Sequence, residues 1–276
     1  MSDGDLQVID GAAVGAWIEP GLGGEFGSVS RQVPKVFDAY ARVFHRVTDD
    51  DGNHVTWDEV AKRLGRTAHR EMQWHQLVGS SDPSNFEGSN WSGGRPDLGE
   101  MEVEELDRLC QVLSRHTADP EHCYFGLCAI QSYKLAFLSA EQLDLPRLEL
   151  PWGRDHVVLS GPLSAIDQLG WSDEPPKNDP DGSTIGLVAT STDAPAEPQE
   201  LEDRRWFEAP NLIWPAERSW LVVSEVDFDS TLVGGSRELI GSLVGCPDLE
   251  VYEVEPDTSL AAFSDKLNPV PDPEEG

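Results

Sequence analysis

Between Asp173 and Asp203 the chain carries nine acidic residues against a single lysine, with Pro175, Pro176, Pro180, Pro195 and Pro198 among them. A stretch so acidic and proline-rich cannot bury enough apolar surface to offset the entropy of ordering it. Residues 171–205 therefore read as a solvated linker or excursion, with room for one edge strand in "STIGLVATST". A fold must then come from two blocks: an N-terminal α+β portion at 1–170 and a C-terminal β-α-β portion at 206–260 packed on it, as one unit or as two closely packed halves. Residues 261–276, ending "PVPDPEEG", read as a disordered tail.

Within the blocks, hydrophobic period separates strands from helices. Residues 33–47 alternate, with Phe37, Ala39, Ala41 and Val43 on one side and Tyr40, Arg42 and Phe44 on the other, which predicts a strand. Thr56 and Glu59 have capping-box spacing, Val60 and Leu64 follow at i, i+4, and Gly65 is placed to end that helix. Residues 79–99 are a polar, glycine-rich loop. The clearest helix spans 100–116, where Leu106, Leu109, Cys110 and Leu113 form one stripe. Residues 123–130 and 155–161 read as strands, and 162–170 as a short helix starting at Pro162. In the second block "SWLVVSEV" is a strand, "STLVGG" a turn or short strand, "SRELIGSLVG" a helix capped by Ser236, and 249–256 a last alternating strand. The expected class is α+β, with a mostly antiparallel or mixed sheet and a few short helices.

The 276 residues are 38% hydrophobic, with nine Trp and nine Phe, enough for a core that needs neither disulfide nor metal. Cys110, Cys123, Cys128 and Cys246 are too few and too scattered for a disulfide framework. No apolar run reaches the roughly 20 residues of a membrane span, and "MSDGDLQVIDG" lacks the features of a secretion signal, so a cytoplasmic location is expected. Fifty-one acids against 20 bases give a net charge of −31. Such a surface repels phosphate backbones and anionic membranes, which argues against nucleic acid and membrane and for a basic protein partner, toward which the chain would be inhibitor-like. With 15 Arg and 5 Lys, genome-wide bias or a salty cytoplasm is the favoured explanation of the acidity.

Three segments suggest chemistry. Residues Asp227 to Thr231, "DFDST", resemble the first motif of haloacid dehalogenase-like phosphatases. The resemblance implies Asp227 as nucleophile, Asp229 as proton carrier and magnesium beside them. The chain departs from that family after the motif: 45 residues remain, and their only lysine is Lys266. A turn whose Asp and Ser side chains bond local amides accounts for the segment without chemistry. "DDDGNHVTWDE" resembles a calcium-binding loop, with Asp49, Asp51, Asn53 and Glu59 at ligand positions, but it is one residue short and lacks the central glycine. "APNLIWPAERSW" places Trp214, Arg218 and Trp220 together. These types concentrate binding energy at interfaces, so the trio is a candidate recognition surface, against the plainer reading that its rings are core.

The chain as a whole resembles a family of bacterial proteins of unassigned activity that share a "PNLIWPAERSW…DFDSTLVGGS"-like segment and an upstream "TWDEVA". That resemblance implies a fold of its own and carries over no catalytic residue. No P-loop, nucleophile elbow, paired-cysteine or HExxH spacing is present, and "GLGGEFG" has Phe26 where a dinucleotide fingerprint needs glycine. The expectation is a non-catalytic binding or regulatory protein without cofactor; the alternative is a metal-dependent phosphatase or hydrolase using Asp227 and Asp229.

Overall fold

Period-2 alternation of apolar residues, read strand by strand, builds one antiparallel sheet with both faces covered. The structure, a computed structural model, describes residues 6–84, 89–131, 135, 138–151, 153–168 and 209–270. In chain order its strands are β1 (Gln7–Ile9), β2 (Ala39–Phe44), β3 (Val47–Thr48), β4 (His54–Val55), β5 (Cys123–Cys128), β6 (Leu148–Leu150), β7 (Arg154–Gly161), β8 (Leu212–Pro215), β9 (Leu221–Val223), β10 (Ser230–Gly235) and β11 (Glu250–Val254). The helices are α1 (Gly11–Gly15), α2 (Val29–Gln32), α3 (Trp57–Leu64), α4 (Trp74–Leu77), α5 (Val103–Ser114), α6 (Ala140–Leu143) and α7 (Arg237–Val244). The protein is therefore α+β. No helix among the described residues is long and apolar enough to cross a membrane.

The main sheet runs β1-β7-β5-β8-β9-β10-β2-β11, with β6 sharing the outer edge of β7 with β1, and β3 and β4 form a separate hairpin. Every pairing is antiparallel. Strands from the two blocks interleave: β8 lies against β5, and β2 sits between β10 and β11. The C-terminal block thus supplies the centre of the sheet, where one residue of slip would turn every apolar side chain to the wrong face.

Ala39, Ala41 and Val43 of β2, Phe125, Ile213, Val222 and Val233 share one core with Leu109 and Leu113 of α5 and Leu239 and Leu243 of α7. The intervening positions, among them Tyr40, Trp214, Leu221 and Leu232, pack on the opposite face with Ile18, Val29 and Val33. Fully burying each such side chain contributes about 1.5–3 kcal/mol. At the end of β2, Phe44 continues into a third cluster around Trp57, Met72 and Trp74.

The helix signals act locally as expected. Thr56 and Glu59 close a capping box, Gly65 ends α3 in the left-handed region at φ 66°, and the Ser236 side chain accepts the amide of Leu239 at the start of α7. Three expectations need correction or narrowing. The strand over 33–47 is confined to Ala39–Phe44, because the Val33 amide closes α2 onto Val29 and Pro34 has no donor for a ladder. Of the two readings of "STLVGG", turn or short strand, the strand holds, as a six-residue central one; Gly234 is there because a Cβ would come within 2.3 Å of Phe37. The tail expected from residue 261 is ordered to Val270: Asp265 is buried, accepts the amides of Leu267 and Asn268 at 2.9 Å, and meets His69 Nε2 at 2.7 Å. The edge strand expected in "STIGLVATST" lies outside the described residues.

Candidate functional site

A cleft of about 540 Å³ opens on the sheet face that carries Arg42, where β2, the start of β7 and the β9–β10 turn meet α2, α4 and the ordered tail. Four arginines line it: Arg31 of α2, Arg42 of β2, Arg95 of the glycine-rich loop and Arg154 at the head of β7. Three acids from the β9–β10 turn, Glu225, Asp227 and Asp229, line it with them, and of the arginines Arg42 and Arg154 reach these acids.

The wall is held by buried polar contacts. Alternation along β2 sends Arg42 inward with Tyr40 and Phe44, and only 1% of it is exposed. Its Nε donates to Ser230 Oγ at 2.8 Å, one terminal nitrogen to the Met72 carbonyl at 2.8 Å, and the other to Asp229 Oδ1 at 3.1 Å. The guanidinium lies 4.3 Å from the centre of the Phe44 ring. Burial pushes its pKa down, and Asp229 opposes that push. One residue thereby ties β2 to the β9–β10 turn and to the segment entering α4.

Beside it, His45 meets Thr231 Oγ1 at 2.9 Å through Nε2 and the Asp97 carbonyl at 2.7 Å through Nδ1, while Ser224 and Thr231 hydroxyls stand 2.6 Å apart. Hydroxyl and imidazole are the parts of a nucleophile pair, but Ser224, Thr231 and His45 are all buried, and His45 ends on a backbone carbonyl instead of a carboxylate. Their effect is to fix the 95–99 loop. Gly99, at φ 71°, donates to the Phe228 carbonyl at 2.7 Å, and a Cβ there would come within 2.6 Å of Val226. That contact seats Leu98 and Arg95 opposite the β9–β10 turn.

Arg154 reaches the turn from β7. Its Nε donates to Glu225 Oε1 at 2.8 Å, and a terminal nitrogen lies 2.7 Å from both Glu225 Oε1 and Asp227 Oδ2. Burial works against its charge, but the two carboxylates outweigh burial and hold its pKa above the ordinary value. Burial also raises the pKa of Glu225, against the pull of Arg154. Across the cleft, His75 of α4 is buried edge-on to Phe263, its Nε2 has no hydrogen-bond partner, and burial lowers its pKa.

The residues singled out from sequence fare differently. Asp227 and Asp229 both line the cleft, yet they sit in an antiparallel hairpin and each is engaged by an arginine. The recognition surface expected at Trp214, Arg218 and Trp220 does not form. The two rings are fully buried on opposite faces of the sheet, Trp220 Nε1 donates to Thr117 Oγ1 at 2.9 Å, and exposed Arg218 sits instead over Trp17. The calcium loop is the β3–β4 hairpin turn. Asp49 Oδ1 accepts the amides of Asp51 and Asn53, and the Asn53 bond foremost depresses the Asp49 pKa. Glu59 is turned back onto the Thr56 amide, whose N–H it accepts at 2.8 Å. Among the described residues no group of three or more His, Cys, Asp or Glu is placed to hold a metal.

The cleft arginines escaped sequence reasoning because they come from four segments spread over 124 positions, 31 to 154, with no spacing to read. The available signal was the composition, 15 Arg against 5 Lys. Compared with known proteins, the chain matches no family model, no curated protein and no solved structure.

Proposed function

We propose that this is a non-catalytic binding protein that takes a small anionic ligand in the arginine-lined cleft. The observation that carries the reading is the concentration of positive charge. In a chain with 20 bases against 51 acids, Arg31, Arg42, Arg95 and Arg154 line one concavity together with three carboxylates among the described residues. A volume of about 540 Å³ lies within the roughly 300–1,000 Å³ of ligand pockets. Planar guanidinium donors match carboxylate and phosphate oxygens better than ammonium groups do. The carboxylates on which phosphoryl transfer would run, Asp227 and Asp229, are already engaged by Arg154 and Arg42, which supports binding over hydrolysis.

The reading is tested by thermal unfolding with phosphate, acetate, octanoate and citrate at matched ionic strength. A bound anion at 100 times its dissociation constant adds about 2.7 kcal/mol. At this size that raises the midpoint by about 5–11 °C. If no anion moves it beyond a chloride control, the reading fails; magnesium-dependent release of phosphate from a monoester would restore the hydrolase.

A further inference from the structure

We infer that Asp227 is a resident counter-anion: its carboxylate pairs with Arg154 in the cleft and gives way to a carboxylate ligand with an apolar body. This rests on the anion-binding reading above and adds to it the class of ligand and the role of Asp227.

The two acids on Arg154 are unequal. Glu225 side-chain exposure is 13% and its Oε1 meets both Nε and a terminal nitrogen, so it aligns the guanidinium by itself. Asp227 is 73% exposed and contributes one contact, to the terminal nitrogen. An ion pair with so exposed a partner is weak, because water serves the carboxylate nearly as well. Asp227 also sits inside a tight turn closed by the Phe228 amide on the Glu225 carbonyl at 2.9 Å, and Arg42 holds the far end at Asp229 and Ser230. The Asp227 side chain can therefore leave Arg154 without unfolding the turn. Exchange is balanced: one charge-assisted bond to Asp227 breaks, one to the ligand carboxylate forms, and Asp227 returns to water.

A balanced exchange supplies no affinity, so the ligand must gain elsewhere, and the rim shows where. Phe26 is 86% exposed and Leu98 52%, two of the seven large apolar side chains left exposed among the described residues, and both line the cleft with Phe228 and Leu260. An aliphatic or aromatic tail laid across them removes apolar surface on both partners from water, while the carboxylate takes the place of Asp227. A bare inorganic anion gains only the exchange.

The test is calorimetric titration of the full chain with octanoate, acetate, inorganic phosphate and octylammonium. Octanoate is expected to bind, acetate at least tenfold more weakly, and octylammonium, with the same tail and opposite charge, not at all. Asp227→Asn removes the competing charge at an exposed position and is expected to tighten octanoate severalfold. Arg154→Gln is expected to lose at least tenfold, and Phe26→Ala to weaken octanoate while leaving acetate unchanged. Octanoate binding that Asp227→Asn leaves unchanged or weakens overturns the inference, as does equal binding of octylammonium. If phosphate binds and octanoate does not, the anion site stands and this inference falls. If no anion binds, both fall.

Discussion

Replacing Arg42 with Ala is expected to lower the free energy of unfolding by about 3–5 kcal/mol, the combined cost of breaking an ion pair whose guanidinium is buried and of the cavity left behind. The side chain is 1% exposed, and three of its nitrogens are committed, to Ser230, Met72 and Asp229. Truncation leaves Asp229 without its guanidinium, strips a donor from the Met72 carbonyl and opens a cavity against Phe44 and Trp57. Arg42→Lys is expected to recover less than half, because one ammonium cannot reach three partners in different directions. Urea unfolding at pH 7 measures both variants. A loss under about 1 kcal/mol in the Ala variant would show that the β9–β10 turn is held by something else.

Glu105→Gln is expected to do the opposite at neutral pH and stabilise the protein. Glu105 lies on α5 with 0% exposure; its Oε2 accepts the Arg46 amide at 3.2 Å, Arg46 Nε stands 3.6 Å from Oε1, and Oε1 has no hydrogen-bond partner. Burial dominates the Arg46 attraction and raises the carboxyl pKa from 4.5 to about 7. A folded pKa above the unfolded one means that the folded state holds the proton more tightly. The stabilisation is complete below about pH 4.5 and is lost as pH rises through about 7. A shift of that size corresponds to at most about 3 kcal/mol. Glutamine keeps the acceptor for the Arg46 amide and cannot ionise. The variant should therefore match wild type near pH 4, exceed it by about 1–3 kcal/mol at pH 8, and flatten the pH dependence between them. Glu250, also raised to about 7 by burial while it accepts the Trp57 and Asp58 amides, leaves a residual slope of the same sign. A variant less stable than wild type at pH 8 would show that the Arg46 ion pair outweighs the desolvation of Glu105.

What could be read from the sequence follows from how local the cause is. Capping box, closing glycine and Ser236 cap act within one turn, so α3 and α7 were legible residue by residue. The faces of β2 were legible too, since alternation separates Ala39, Ala41 and Val43 from Tyr40, Arg42 and Phe44, but Phe37, expected with the first set, lies before the strand and packs with Tyr40 on the other face. That Arg42 is buried was not, because its partners arrive from Met72, Asp229 and Ser230. Trp214 and Trp220 looked like a surface because Pro, Glu and Arg stand between them. Glu217 and Arg218 lie in the exposed turn between β8 and β9, whereas Pro215 ends β8 buried, Trp214 lies in β8 and Trp220 stands just before β9, both rings turned inward. The glycines of β10 imitated a turn for a packing reason, the Phe37 ring on Gly234. Asp227 and Asp229 both line the candidate cleft, each with an arginine partner that arrives from a distant strand.

Side-chain NMR of the arginine Nε–H groups, recorded while octanoate is added to the full chain, tests the anion site most directly. The account predicts a saturable shift of the Arg154 resonance, smaller shifts among Arg31, Arg42 and Arg95, and none at Arg218 or Arg237, which lie outside the cleft. Shifts spread evenly over surface arginines, with Arg154 unmoved, would contradict it.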